Sequence, residues 1–376
     1  MSHLLLERAR GHPIHLHVYE AEIDENEATS DYQNSKAVEV FTSHMNNVCV
    51  LDLESYSWSG GFVEAVLNLW LKHGTGSLLR SLTVQQPNAH QVLSSSSSSF
   101  EDEGFHSRSD NAKAMLLPLG TLHLQNVQFD WKSGVYCNLI DLRLDFESRQ
   151  VDIPIPRLVD ILSSSPRLTI LKLRNLGVLW VGDWRQFAPI TLGCLKVFYL
   201  DCHSLHVALL LSLITLSGAS CGFDIDFQSY NQTIHSLQAF FTRSALATLY
   251  WLHYGRSLGC WLSISQSIPH LQTLVLDRLH MRYTETAPPC SPSVASSRID
   301  CAILLSCAVN LEGLMTLISL HGIRVLRLEK CTTIQGEERD LHHVRSSLLE
   351  AYPELECSIL DTDSTLNLPC RVMFNR

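Results

Sequence analysis

Phosphate-binding glycine loops, zinc-protease helices and nucleophile elbows are missing from this 376-residue chain. It has no Gly-x-Ser-x-Gly, no Walker loop, no His-Glu-x-x-His, and no Gly-x-Gly-x-x-Gly opening a helix after a strand. An enzyme would have to assemble its site from residues far apart, and the expectation is a non-enzyme with no cofactor. Charge is scarce too, at 18% of residues, and the balance is acidic, with a net charge of −10. A nucleic-acid partner would call for a basic stripe, and none is present. Long apolar runs are absent as well. The most apolar stretch, Val207 to Leu216, reads as a buried helix, because a membrane span needs about 20 such residues. Met1 to Gly11 has only three consecutive leucines, too few for a signal peptide. The 12 cysteines never fall at Cys-x-x-Cys spacing, so they are expected to be reduced and buried. These absences point to a cytoplasmic or nuclear protein with no membrane or nucleic-acid partner.

What is abundant is apolar character, 45% of residues, and it recurs in one phrase. An apolar residue, two variable residues, an apolar residue, one variable residue and an apolar residue appear as Val48-Leu51-Leu53, Leu79-Leu82-Val84, Leu119-Leu122-Leu124 and Leu139-Leu142-Leu144. The phrase returns as Leu168-Leu171-Leu173, Leu195-Phe198-Leu200, Leu271-Leu274-Leu276 and Ile323-Leu326-Leu328. Weaker copies sit at Phe223-Ile225-Phe227 and around Leu246 and Leu249. Neighbouring copies lie 29 residues apart (139 to 168) and 27 apart (168 to 195), and 271 to 323 spans 52, or two repeats of 26. Leucine-rich repeats have this period.

The last two apolar residues of each phrase are two apart and share one side of a strand. The intervals read as helices: Val63, Val66, Leu67, Trp70 and Leu71; Leu158, Ile161 and Leu162; Leu341, Val344 and Leu348. The expected fold is α/β, an irregular leucine-rich-repeat solenoid over residues 1–376, curved, with a mostly parallel sheet inside and helices outside. Residues 87–113, with six consecutive serines followed by Glu101, Asp102 and Glu103, and 284–298, rich in Pro and Ser, read as flexible insertions. Ser98 and Ser99, each with an acid three positions on, and Ser291 before Pro292 are candidate phosphorylation sites.

Residues between and just after the paired leucines face away from the core. They are Asp52, Glu54, His123, Arg143, Asp145, Lys172, Arg174, Tyr199, Asp201, Asp277, Arg327 and Glu329. This face is the expected partner-binding surface, with Arg143, Lys172, Arg174 and Tyr199 at its centre. Mixed signs suit a protein partner of complementary charge. His15-x-His17 puts two imidazoles on one strand face but brings no third ligand, so no metal is expected. Asp224-x-Asp226 opens like a calcium loop but lacks its glycine and terminal glutamate.

The phrase from Ile323 through Cys331 to Ile334 resembles the cysteine-containing leucine-rich repeat of F-box proteins, with Cys331 at the strand exit. The opening, Leu4 to Val18, resembles the helix and first strand that follow the F-box in the large fungal family of F-box-like repeat proteins. Phe41 to Val84 is similar to that family's next repeat. The resemblance implies substrate recognition for a Skp–cullin–F-box ubiquitin ligase. Family members carry an F-box of about 45 residues before this region, and Met1 to Asp31 has no room for one. The Skp-type adaptor is therefore expected as a partner only if an F-box lies upstream. The alternative is a free-standing leucine-rich-repeat scaffold with no ubiquitin role.

Overall fold

The computed structural model describes residues 12–20, 45–55, 63, 66, 67, 70, 78–86, 118–147, 151–180, 187–202, 204–224, 230–252, 264, 267–281, 298–334 and 339–360. The chain divides into two compact units, Met1–Gly182 and Asp183–Arg376. Each is an α/β arrangement built on a parallel sheet.

In the first unit, strands β1 (Ile14–Glu20), β2 (Val48–Ser55), β3 (Ser81–Gln85), β4 (Thr121–Gln125), β5 (Asp141–Asp145) and β7 (Ile170–Arg174) lie side by side in that order, every pair parallel. The register is unbroken from β2 to β7. Leu51, Leu82, Leu122, Leu142 and Leu171 are mutual partners, as are Leu53, Val84, Leu124, Leu144 and Leu173. All ten are buried, which is what the paired leucines of each phrase predict. Consecutive side chains point to opposite faces, so the residues between them form a second, polar face.

The first unit's returns are helical where described. Val63, Val66, Leu67 and Trp70 are in helical conformation. Helix α1 (Ile155–Ser163) buries Ile155, Leu158, Ile161 and Leu162 on one side, the 3.6-residue spacing of a core-facing helix. Pro156 is tolerated in its first turn, where no intrahelical N–H partner exists. A short parallel pair, β6 (Val151–Pro154) with β8 (Leu176–Leu179), runs beyond the main strands.

The second unit repeats the plan. Strands β10 (Val197–Asp201), β11 (Ile214–Asp224), β12 (Ala245–Leu252), β13 (Thr273–Asp277), β14 (Cys301–Leu305), β16 (Val325–Glu329) and β18 (Glu356–Leu360) are parallel neighbours. Helices α2 (Ser204–Leu213), α3 (Tyr230–Arg243), α4 (Leu311–His321) and α5 (Arg339–Ala351) return the chain. Helix α4 is capped at both ends. Asn310 Oδ1 accepts from the Gly313 N–H at 2.9 Å, and Gly322 closes the other end in the left-handed conformation, φ 57°. The short strands β9 (Ile190–Leu192), β15 (Ala308–Val309) and β17 (Thr332–Thr333) make further parallel pairs, β9 with the start of β11 and β15 with β17.

The residue after a strand takes a left-handed conformation at Asn126, Asn175, Arg278, Ser306 and Lys330. This region is costly for most side chains and most tolerable for Asn. At four of these corners the N–H donates to the last carbonyl of the following strand: Asn126 to Asp145 at 2.7 Å, Arg278 to Leu305 and Ser306 to Glu329 at 2.8 Å, and Lys330 to Leu360 at 3.2 Å. The buried Asn126 Nδ2 also donates back to Gln86 O at 3.1 Å. Two residues past their strands, Cys307 and Cys331 each donate Sγ–H at 3.3 Å to a carbonyl of the preceding strand, Leu276 and Leu304. Asparagine and cysteine thus satisfy backbone acceptors at the strand exits that water cannot reach.

Three expectations need correction. The apolar stretch Val207 to Leu216 is not one helix: α2 ends at Leu213 and Ile214 begins β11. The weak copy at Phe223-Ile225-Phe227 is out of register. Cys221 and Phe223 are the paired residues, opposite Phe198 and Leu200, and Ile225 and Phe227 lie outside the described residues. Of the nine described cysteines, all free, Cys194 is exposed. The segments 87–113 and 284–297 lie outside the described residues, as do Ser98, Ser99, Ser291 and, before Ile14, all but His12 and Pro13 of the opening.

Candidate functional site

The polar face of the first unit's sheet is organised in rows by its register. One row runs Asp52, Thr83, His123, Arg143, Lys172, and the next runs Glu54, Gln85, Gln125, Asp145, Arg174. At the β1 edge His15 Nε2 meets Asp52 at 2.6 Å and His17 Nε2 meets Glu54 at 3.4 Å. Each imidazole therefore faces a carboxylate on β2. Among the described residues no group of three His, Cys, Asp or Glu side chains is placed to hold a metal ion.

The centre of the face is Asp141, a residue that the reading of phrases passed over. Its side chain takes two hydrogen bonds from Arg143, Nε at 3.0 Å and Nη2 at 2.8 Å. His123 Nε2 lies 3.2 Å from the same carboxylate. Burial pushes the Asp141 carboxyl up, but the contacts from His123 and Arg143 outweigh it and hold it below the usual range. The signal was present in sequence: Asp141 precedes the first strand leucine, Leu142, and so faces outward with Arg143 and Asp145. Arg174 pairs with Asp145 at 3.4 Å and makes a closer contact with Glu147.

Lys172 sits directly across from Arg143 in the register. Like charges in that relation repel. Burial, then Arg143, pushes its amine down to about 8, with Asp141 pulling the other way. The unfolded chain should titrate this lysine near its ordinary 10.5, so between these values the unfolded state binds more protons. Stability is therefore expected to rise as pH goes from about 8 towards 10.5. Lys172→Met should flatten this rise in urea titrations at fixed pH steps. A variant curve parallel to wild type through that window would contradict the assignment.

The second unit's outward face differs. Tyr199, Tyr250, Val275, Ile303 and Arg327 occupy one row through their register, and Asp201, Leu252, Asp277, Leu305 and Glu329 the next. Tyr250, Val275, Ile303 and Leu305 form a buried apolar cluster, with Leu252 and Cys301 packed against it. Strands β13 and β14 are apolar on both sides, the pattern of a sheet covered on both faces. Tyr199, Asp201 and Arg327 are half-buried. Asp277 accepts a close hydrogen bond from the Tyr250 hydroxyl. Glu329, expected as a contact residue, is 2% exposed and does not present its carboxylate on an open surface. The alternation rule placed it on the correct side of β16, but it assumed that this side is open, and the apolar neighbours show otherwise.

Of the twelve residues expected on the partner-binding face, Asp52, Glu54, His123, Arg143, Asp145, Lys172 and Arg174 are brought together on the first unit's sheet. Tyr199, Asp201, Asp277, Arg327 and Glu329 belong to the second unit. No protein-family model matches this chain, and no curated protein matches it.

Proposed function

We propose that this chain is a protein-binding array of irregular leucine-rich repeats, the substrate-recognition region of an F-box-like protein serving a Skp–cullin–F-box ubiquitin ligase. The observation that carries the reading is the polar face of the first unit. Six parallel strands present rows of His, Asp, Arg and Lys side chains over an opposite face whose paired residues from β2 to β7 are buried leucines and a valine. Rows of mixed charge suit a protein surface of complementary pattern. The strand-exit residues support the repeat reading, since the same backbone conformation and the same N–H to carbonyl contact return from strand to strand. The ligase assignment rests on the phrase ending at Cys331, whose Sγ–H contact with Leu304 O gives that cysteine a structural reason to stand there.

The test is affinity capture from cells with wild type and with Gln125→Ala, Lys172→Ala and Arg174→Ala combined. Arg143 is left in place because it holds Asp141. Wild type is expected to retain a protein that the triple variant loses, with melting temperatures nearly equal, since exposed ion pairs contribute at most about 1 kcal/mol. Equal capture by both would refute the face. Increased abundance of that protein when the chain is deleted would support the ligase role, and unchanged abundance would favour a scaffold.

A further inference from the structure

We infer that Lys172 anchors an acidic side chain, Asp or Glu, of the protein that docks on this face. The inference rests on the protein-binding reading above and names the chemistry of the contact. The other cation at the centre of the face is already engaged: Arg143 is held by Asp141 through two donors, and beside them Arg174 is shared between Asp145 and Glu147. Lys172 is half-buried between these groups, and among the described residues no carboxylate lies within ion-pair distance of it. It stands beside Arg143, a like charge. A half-desolvated cation with a cationic neighbour and no carboxylate in ion-pair contact is an unfavourable arrangement in the free protein. An arriving anion relieves it.

The chemistry of the surroundings selects which anion. Lys172 offers one positive charge, which one carboxylate matches. A phosphoryl group, which carries nearly two negative charges, would set its excess against the neighbouring Asp141, Asp145 and Glu147. The acidic residue would lie across the strand row that runs His123, Arg143, Lys172.

Selection of phage-displayed random dodecapeptides on wild type, Lys172→Met and Lys172→Glu tests this. Wild type should select peptides that align with Asp or Glu at one fixed position. The Met variant should lose that preference while keeping its fold, since it removes a half-buried charge. The Glu variant should select Lys or Arg at the same position. In fluorescence anisotropy the strongest wild-type peptide should bind the Met variant at least ten-fold more weakly, and wild type more weakly at pH 9.5 than at pH 7. The inference is overturned if no acidic position emerges on wild type, if the Glu variant keeps the acidic preference, or if phosphoserine at the acidic position binds more tightly. It then falls alone when the triple alanine variant still loses its cellular partner, and falls with the binding face when that variant does not.

Discussion

Phe223→Ala is expected to lower the unfolding free energy of the second unit by about 3–5 kcal/mol, the range for deleting a fully buried phenyl ring. Phe223 is fully buried on β11. Its ring lies 6.0 Å from Phe198, 6.1 Å from Phe240, 5.8 Å from Phe241 and 6.0 Å from Trp251, centroid to centroid. Three of these contacts are edge-on, with interplanar angles of 81–90°, the arrangement that the ring quadrupole favours. The cluster joins β10, β11 and β12 to helix α3, so losing its centre opens a cavity that four rings must collapse around. Urea unfolding followed by far-ultraviolet circular dichroism measures the loss. Phe223→Leu, which keeps most of the volume, should recover more than half of it. A loss under about 1 kcal/mol for the alanine variant would mean that the ring does not hold the helix to the sheet.

In the first unit, Asp141→Ala should cost about 2–3 kcal/mol, because it leaves Arg143 without the carboxylate that takes two of its donors, beside a second cation. The pH dependence distinguishes this from a packing defect. The Asp141 carboxyl is held below its ordinary value near 3.8 in the fold. Its stabilising contribution is therefore complete above the unfolded value and disappears as pH falls through the lower, folded one. Asp141→Asn, similar in shape but uncharged, should share the neutral-pH loss and show a shallower decline on acidification than wild type. Lys172 should respond too. Asp141 holds the Lys172 amine up against burial, so in the Asn variant the lysine should titrate below wild type in amine-labelling rate profiles. An unchanged Lys172 profile would separate the two residues.

The repeat phrase made most of the sheet legible because its chemistry is simple. Leucines two apart and a third in the corner before them define a strand with one buried face, and all eight clear copies fall on strands. The strand missed between β13 and β16 shows where the rule stops. Its phrase is Ile299-x-x-Ala302-x-Leu304, and each of these three residues is fully buried, but alanine replaces the expected leucine and Ile303 and Leu305 fill the outward positions. Alternation disappears when both faces are covered, and a continuous apolar run carries no period to detect. The same cause misdirected part of the site. Glu329 obeys the alternation rule, yet the row it belongs to runs through Leu252, Asp277 and Leu305, which no single repeat reveals. In the first unit the flanking rows are polar, and Arg143, Lys172 and Arg174 of the expected central cluster lie together there, whereas Tyr199, its fourth member, belongs to the second unit. Asp141 was missed because only the residues after the first leucine were considered outward.

The strand-exit corners separate two properties that most folds bind together. Register is set by contacts that each strand makes with its neighbour: the paired leucines, the left-handed residue and its N–H to the next strand's carbonyl. The length of the return segment does not enter. Strands β3 and β4 keep an unbroken register although residues 86–120 intervene, while β5 and β7 do so across residues 146–169. Doubling a loop costs only about 0.6 kcal/mol in closure entropy. Such a chain can accumulate insertions on its returning side with little thermodynamic penalty, while its outward rows change one residue at a time. Relatives of this protein are accordingly expected to diverge in length and in the chemistry of the outward rows independently of each other.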